Sequence, residues 1–294
     1  MKVAVREMRW TIAAVTLLSL ALPSGAQAQA KVNAQDTKPK AIALPAGSQD
    51  GLPAGMKMPS SPRVPTTFAE LFAERDTRAL QALAYMRCLQ TTLRGVQTGL
   101  LGRVPRAWLM TCVQQGEEWR GVFSELTVEE PGIKVHAQFA VRGTGMAVRD
   151  PVDTARVAGL TRAMLRGVAA PMPGAGTHQY MPVPLPQKTF IEVWFVPVPS
   201  SPSTAVVGGD SLIQMSLDGT RELGHSRTTP PIRTLAVTTG TEYLLKSTEE
   251  RIPLLSELMV AHMALSLSPD VRVRTYQMES IFTRGVTAVR HETR

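Results

Sequence analysis

Residues 67–94 read TFAELFAERDTRALQALAYMRCLQTTLR, and their pattern frames everything that follows. Thr67 and Glu70 stand at the spacing of a capping box, in which each side chain takes up a backbone donor that a starting helix leaves unpaired. Phe68, Leu71, Phe72, Leu80, Leu83 and Met86 then recur near helical spacing. This predicts an amphipathic helix over 68–94 whose apolar stripe needs a partner surface.

That surface reads as strand. Segment 107–114 is apolar and bounded by Pro105 and Gly116, and 120–128 and 133–141 flank Glu129-Glu130-Pro131-Gly132, a hairpin-type turn. In the second arm Ile133, Val135, Ala137 and Phe139 alternate with Lys134, His136 and Gln138, so His136 falls on the polar face and reads as a solvated side chain. Gly143-Thr144-Gly145 reads as a turn. With no third glycine and no Lys-Ser/Thr after it, the dinucleotide and P-loop readings both fail. Val157, Leu160, Met164, Leu165 and Val168 then predict a helix over 154–169.

Segment 171–186 is rich in Pro and Gly and reads as a break at which the domain could subdivide. Beyond it, 190–198 is nearly continuous in apolar and aromatic residues, as a central strand would be. Segments 211–217 and 220–225 surround Asp218-Gly219, the strongest short hairpin signal in the chain. Further short strands are expected at 234–238 and 242–246. Segment 253–267 fits a helix begun at Pro253 or a buried strand, with helix favoured. Strands are expected at 271–277, 279–284 and 286–291. In the first of these Arg272, Arg274 and Tyr276 point away from Val271 and Val273, a row read as a solvated sheet face. The predicted class is α+β: one domain over 67–294, with an N-terminal helix packed on mainly antiparallel sheet and a sheet-rich C-terminal half.

The leader reads as an export signal. Lys2, Arg6 and Arg9 precede an apolar run over 10–22, and small residues form two overlapping cleavage sites, Ala26-Gln27-Ala28 and Ala28-Gln29-Ala30. Cleavage is expected after Ala28 or Ala30, and the run is too short for a permanent span, which needs about 20 residues. No transmembrane segment is expected after cleavage. Segment 31–66, with six prolines and three glycines, reads as a disordered linker. Export to a periplasmic or secreted location makes Cys88 and Cys112, the only two cysteines, a disulfide. Closing a loop of that size stabilises a fold by roughly 3 to 4 kcal/mol.

The full chain carries 32 Lys and Arg against 24 Asp and Glu, a net charge of +8, and loss of residues 1–30 leaves 29 against 23. This modest surplus fits an anionic polymer or surface as partner. Nucleic acid is not expected, because no Lys/Arg run and no recognition motif accompanies the charge. The histidines, at 136, 178, 225, 262 and 291, include no pair at four-residue spacing, and the cysteines have no ligand-spaced neighbours, so no metal or cofactor is expected.

One short motif points to catalysis. Gly209-Asp210-Ser211-Leu212 is the string for which the GDSL serine esterases are named, with Ser211 in the nucleophile's place. The resemblance covers these four residues. The family's Gly-x-Asn-Asp block and late Asp-x-x-His are absent, and the string leads into a hairpin strand. A serine needs a positioned base to become a nucleophile, and His225, across the hairpin, is the available one. The expected function is a non-catalytic exported protein that binds another envelope protein or an envelope polymer. The alternative is a secreted serine hydrolase using Ser211, Asp210 and His225.

Overall fold

The long helix forms where its capping box stands. In the computed structural model, which describes residues 67–98, 108–127, 133–142, 145–148, 153–168, 179–199, 204–227, 232–236, 243–246, 252–286 and 289–293, helix α1 spans Phe68–Gln97. Glu70 N donates to Thr67 Oγ1 and Thr67 N to Glu70 Oε2, each at 3.2 Å. Cys88 of this helix and Cys112 lie at disulfide distance, with Cα atoms 6.3 Å apart. The leader, Ala28 and Ala30, and the linker at 31–66 lie outside the described residues.

The protein is α+β. Strands β1 (Leu109–Gln115), β2 (Glu118–Leu126), β3 (Ile133–Arg142) and β4 (Gly145–Val148) form a first antiparallel sheet in sequence order. Asp153 Oδ1 accepts from Ala155 N and Arg156 N and so starts helix α2 (Thr154–Val168). A second antiparallel sheet follows in the order β5 (Gln179–Pro186), β6 (Ile191–Val198), β8 (Ser211–Met215), β9 (Glu222–Arg227). Between β6 and β8 lies β7 (Thr204–Val207), which pairs with β10 (Arg233–Ala236). The chain ends in β11 (Tyr243–Lys246), helix α3 (Leu255–Ala264), β12 (Asp270–Arg274), β13 (Met278–Thr283) and β14 (Arg290–Thr293). The last sheet is antiparallel except where β11 runs parallel to β12.

Strand β6 is central and every residue of it is buried, so the second sheet has apolar layers on both faces. Met181, Val183, Leu185, Trp194 and Val196 face a core shared with α1, α3 and the last sheet. Ile191, Val193, Phe195, Ile213 and Met215 face a second core with Val157, Leu160 and Ala163 of α2 and Val113 and Val122 of the first sheet. Contact between α2 and the β8–β9 turn is close enough to require glycine. A Cβ on Gly159 would sit 2.1 Å from the Leu217 carbonyl oxygen, and Gly219 itself has φ +70°.

Several local expectations are corrected. Residues 179–186 of the Pro/Gly-rich stretch form strand β5. Its Pro182, Pro184 and Pro186 share one parity on an edge strand, where missing N–H groups cost no ladder bonds if they point outward. His136 is not freely solvated. It is the extra residue of a β-bulge between β2 and β3, its ring stacks on Trp108 at 4.0 Å, and its Nε2 lies 2.9 Å from Glu125 Oε2. The arginine row is not a bare face either, because Arg272 and Arg274 both reach Glu279 on β13, at 3.4 and 3.2 Å. Segment 253–267 holds a helix, and β4 and β7 are strands with no sequence expectation behind them.

Candidate functional site

Asp210 and Ser211 are neighbours at the start of β8 and are carried to different surroundings. Gly208 and Gly209 have φ of +88° and +70°, a double left-handed turn that swings the backbone out of β7 and into β8. Asp210 is fully buried against the N-terminus of α3, where its Oδ2 accepts from Ser256 N at 2.8 Å. Gly208 N donates to Ser256 Oγ at 3.0 Å, which pins the same turn to the same helix. The carboxylate thus caps a helix that offers no side-chain hydrogen bond from its own N-cap residue, Leu254. Burial pushes the Asp210 carboxyl up from its ordinary range, opposed by the Ser256 hydrogen bonds and the positive charge of Arg75. Its Oδ1 is buried without a hydrogen-bond partner.

Ser211 enters the β ladder, opposite Phe195 of β6 and Arg227 of β9. His225, opposite Ile213, is its diagonal neighbour on the same face, and Ser211 Oγ lies 3.3 Å from His225 Nε2. The other ring nitrogen, Nδ1, is 3.9 Å from Glu222 Oε1, an ionic approach too long for a hydrogen bond. The structure therefore brings two of the three sequence candidates together, Ser211 with His225, and turns Asp210 away to α3. Glu222, not Asp210, is the acid beside the histidine, and it reaches that side because the β8–β9 register shifts by one residue at Leu223, which nothing in the sequence marks.

Access decides what this pair can do. Ser211 is 0% exposed, whereas the His225 side chain is 25% exposed. A nucleophilic hydroxyl has to meet a substrate carbonyl at about 3 Å with donors for the developing oxyanion beside it. Ser211 instead shares the sheet face of Ile213 and Met215, opposite Phe195, with the partly exposed imidazole 3.3 Å from its Oγ. In the folded state the Ser211–His225 contact is a satisfied hydrogen bond at a sheet edge.

The other two described late histidines meet in a second cluster, which the sequence did not bring together. His262 Nε2 of α3 is 2.7 Å from Asp76 Oδ1 of α1, and His291 Nδ1 of β14 is 3.0 Å from Ser280 Oγ of β13. Ser280 is fully buried. Among the described residues no group of three or more His, Cys, Asp or Glu side chains is placed to hold a metal ion, and no helix is long and apolar enough to cross a membrane. Comparison of the chain with family models, with characterised proteins and with solved structures returns no match.

Proposed function

We propose that the chain is an exported, non-catalytic protein that binds an anionic partner of the cell envelope, either another protein or a polymer. The observation that carries this reading is the placement of the only serine–histidine pair that the sequence puts forward for catalysis. Ser211 is sealed in the core, and Asp210, the acid of the same motif, is occupied in capping α3. A disulfide between Cys88 and Cys112 supports an oxidising compartment, since such a bond persists outside the reducing cytosol. The surplus of bases favours an anionic partner over a neutral one.

One observation favours the second reading, a hydrolase on Ser211: the 3.3 Å approach of His225 Nε2 to the hydroxyl. Two measurements on the purified chain separate the readings. Against a panel of short and long acyl esters the binding reading expects no turnover above buffer and no difference on Ser211→Ala; turnover lost in that variant would establish the hydrolase instead. Co-sedimentation with an acidic polysaccharide should show binding that weakens as salt rises. Equal binding to a neutral polysaccharide, or none to either, would remove the anionic-polymer form of the proposal. Fractionation of cells with sequencing of the mature N-terminus tests export, which requires a start after Ala28 or Ala30.

A further inference from the structure

Phe68, Phe72 and Asp76 follow one another at four-residue spacing and form one stripe of α1. Against this stripe lies the last strand of the chain. The His291 ring meets Phe68 edge-on at 5.4 Å and Phe72 at 4.5 Å, and its Nδ1 contacts the Ser280 hydroxyl opposite it in the β13–β14 ladder. Phe282 of β13 completes the pocket, packing on Phe72 at 6.1 Å and on His262 at 5.2 Å. Three elements distant in sequence, the start of α1, the C-terminal half of α3 and the β13–β14 hairpin, thus converge on one imidazole.

A neutral ring suits the contact with Ser280. The Ser280 hydroxyl can donate to Nδ1, and both groups are then satisfied. Once Nδ1 carries a proton it becomes a donor. Ser280 must then accept, and its own hydrogen, on a side chain with no solvent exposure, loses the ring as its acceptor. The charged groups facing the ring are few. From α1 there is Asp76, which would favour the cation but is held by His262 Nε2 at 2.7 Å; from α3 there is that His262; β13 presents Ser280 and Phe282 on this side. Burial is the leading influence on the His291 ring and lowers its proton affinity, with Asp76 the lesser opposing one.

We propose that His291 is a pH-sensitive clasp: its protonation releases β14 from the α1 stripe and opens the β13–β14 edge locally, while the disulfide-linked core stays folded. The sign follows from linkage. A histidine whose proton affinity is lower in the docked state binds its proton preferentially when undocked, so docking weakens as pH falls below about 6.5, the ordinary imidazole value. For one proton the change approaches about tenfold per pH unit until the docked ring itself titrates.

Hydrogen exchange on the full chain at pH 7.5, 6.5 and 5.5, corrected for intrinsic exchange, reads this directly. Protection at 290–292 should fall by up to about fivefold between pH 6.5 and 5.5 while that of β6 amides holds. His291→Gln, uncharged at all three values, should abolish the fall, and His262→Gln should leave it in place. Protection at 290–292 that does not depend on pH, or an equal fall in His291→Gln, overturns the proposal. Should His291→Gln fail to fold, titration of the His291 ring protons by NMR in the unaltered chain decides instead: a midpoint at or above 6.5 overturns the clasp, and one below it supports it.

Discussion

Replacing Arg78 with alanine should destabilise the fold far more than the loss of a surface ion pair would. Glu192 is the second residue of the central strand, at 3% exposure and on the face that looks toward α1. Its Oε2 accepts from Arg78 Nε at 2.5 Å and from Trp194 Nε1 at 3.0 Å, and its Oε1 accepts from Arg78 Nη2 at 2.9 Å. The guanidinium thus supplies two of three donors and all of the compensating charge. In Arg78→Ala the carboxylate keeps only the indole N–H, and stranding a buried charge in this way costs about 3–5 kcal/mol. That is a large part of the ~5–15 kcal/mol by which domains are stable. Glu192→Gln leaves Arg78 its contact with Glu74 at 2.8 Å and should cost about 1–2 kcal/mol. In the pair Arg78→Met with Glu192→Met both charges go and apolar volume remains, so the double variant should regain most of the loss. Urea unfolding, with the disulfide intact and equal slopes, measures Arg78→Ala and Glu192→Gln against the parent and closes a cycle from Arg78→Met, Glu192→Met and their double variant. A cost below about 1 kcal/mol for Arg78→Ala, the range of exposed pairs, or additive effects in the double variant, would show that Glu192 is not held as the geometry implies.

Gly159→Ala places a methyl 2.1 Å from the Leu217 carbonyl oxygen, a backbone atom that cannot rotate away, so α2 must shift; a loss of about 1–3 kcal/mol is expected in thermal unfolding. Reduction of the Cys88–Cys112 link, or the paired Cys88→Ser and Cys112→Ser variant, should lower stability by roughly 3 kcal/mol, visible as a urea midpoint that depends on reductant in the parent and not in the variant. Asp218 at the β8–β9 turn accepts from the Ser216 hydroxyl, Thr220 N and Thr220 Oγ1, which hold its carboxyl down to about 2. A depressed acid contributes while ionised, so the turn should loosen as pH falls from about 4 toward 2, and NMR titration of Asp218 should show the low midpoint that Ser216→Ala raises.

What could be read in the sequence was what depends on near neighbours. The capping box of α1, the Asp218-Gly219 hairpin and the buried run of β6 are each complete within a dozen residues, and each formed where expected. Strand β5 was hidden because proline argues against a strand unless its N–H would point away from the sheet, and only the pairing with β6 reveals that parity. The bulge at His136 was hidden for a similar reason, since one extra residue on β3 is visible only against β2. In the candidate site the Ser211–His225 approach followed from the hairpin register. The diversion of Asp210 to α3 did not, because Ser256 lies 46 residues away and nothing local marks it as a partner.

The same distance runs through the polar ties that hold the helices, whereas buried Glu279 meets Arg272 and Arg274 within one hairpin. Asp210 of β8 caps α3, Glu257 of α3 meets Arg233 of β10 at 2.7 Å, Asp76 of α1 meets His262 of α3, and Arg78 of α1 meets Glu192 of β6. Each tie crosses from a helix to an element that its own segment did not specify. Against well-packed apolar residues such ties add little net stability, but a wrong pairing would leave each partner buried and unmatched, so they penalise misdocking of α1 and α3. Asp210, Glu257, Asp76 and Glu192 are thus committed to placing helices, whereas the His225 and His291 rings bond hydroxyls within the sheets.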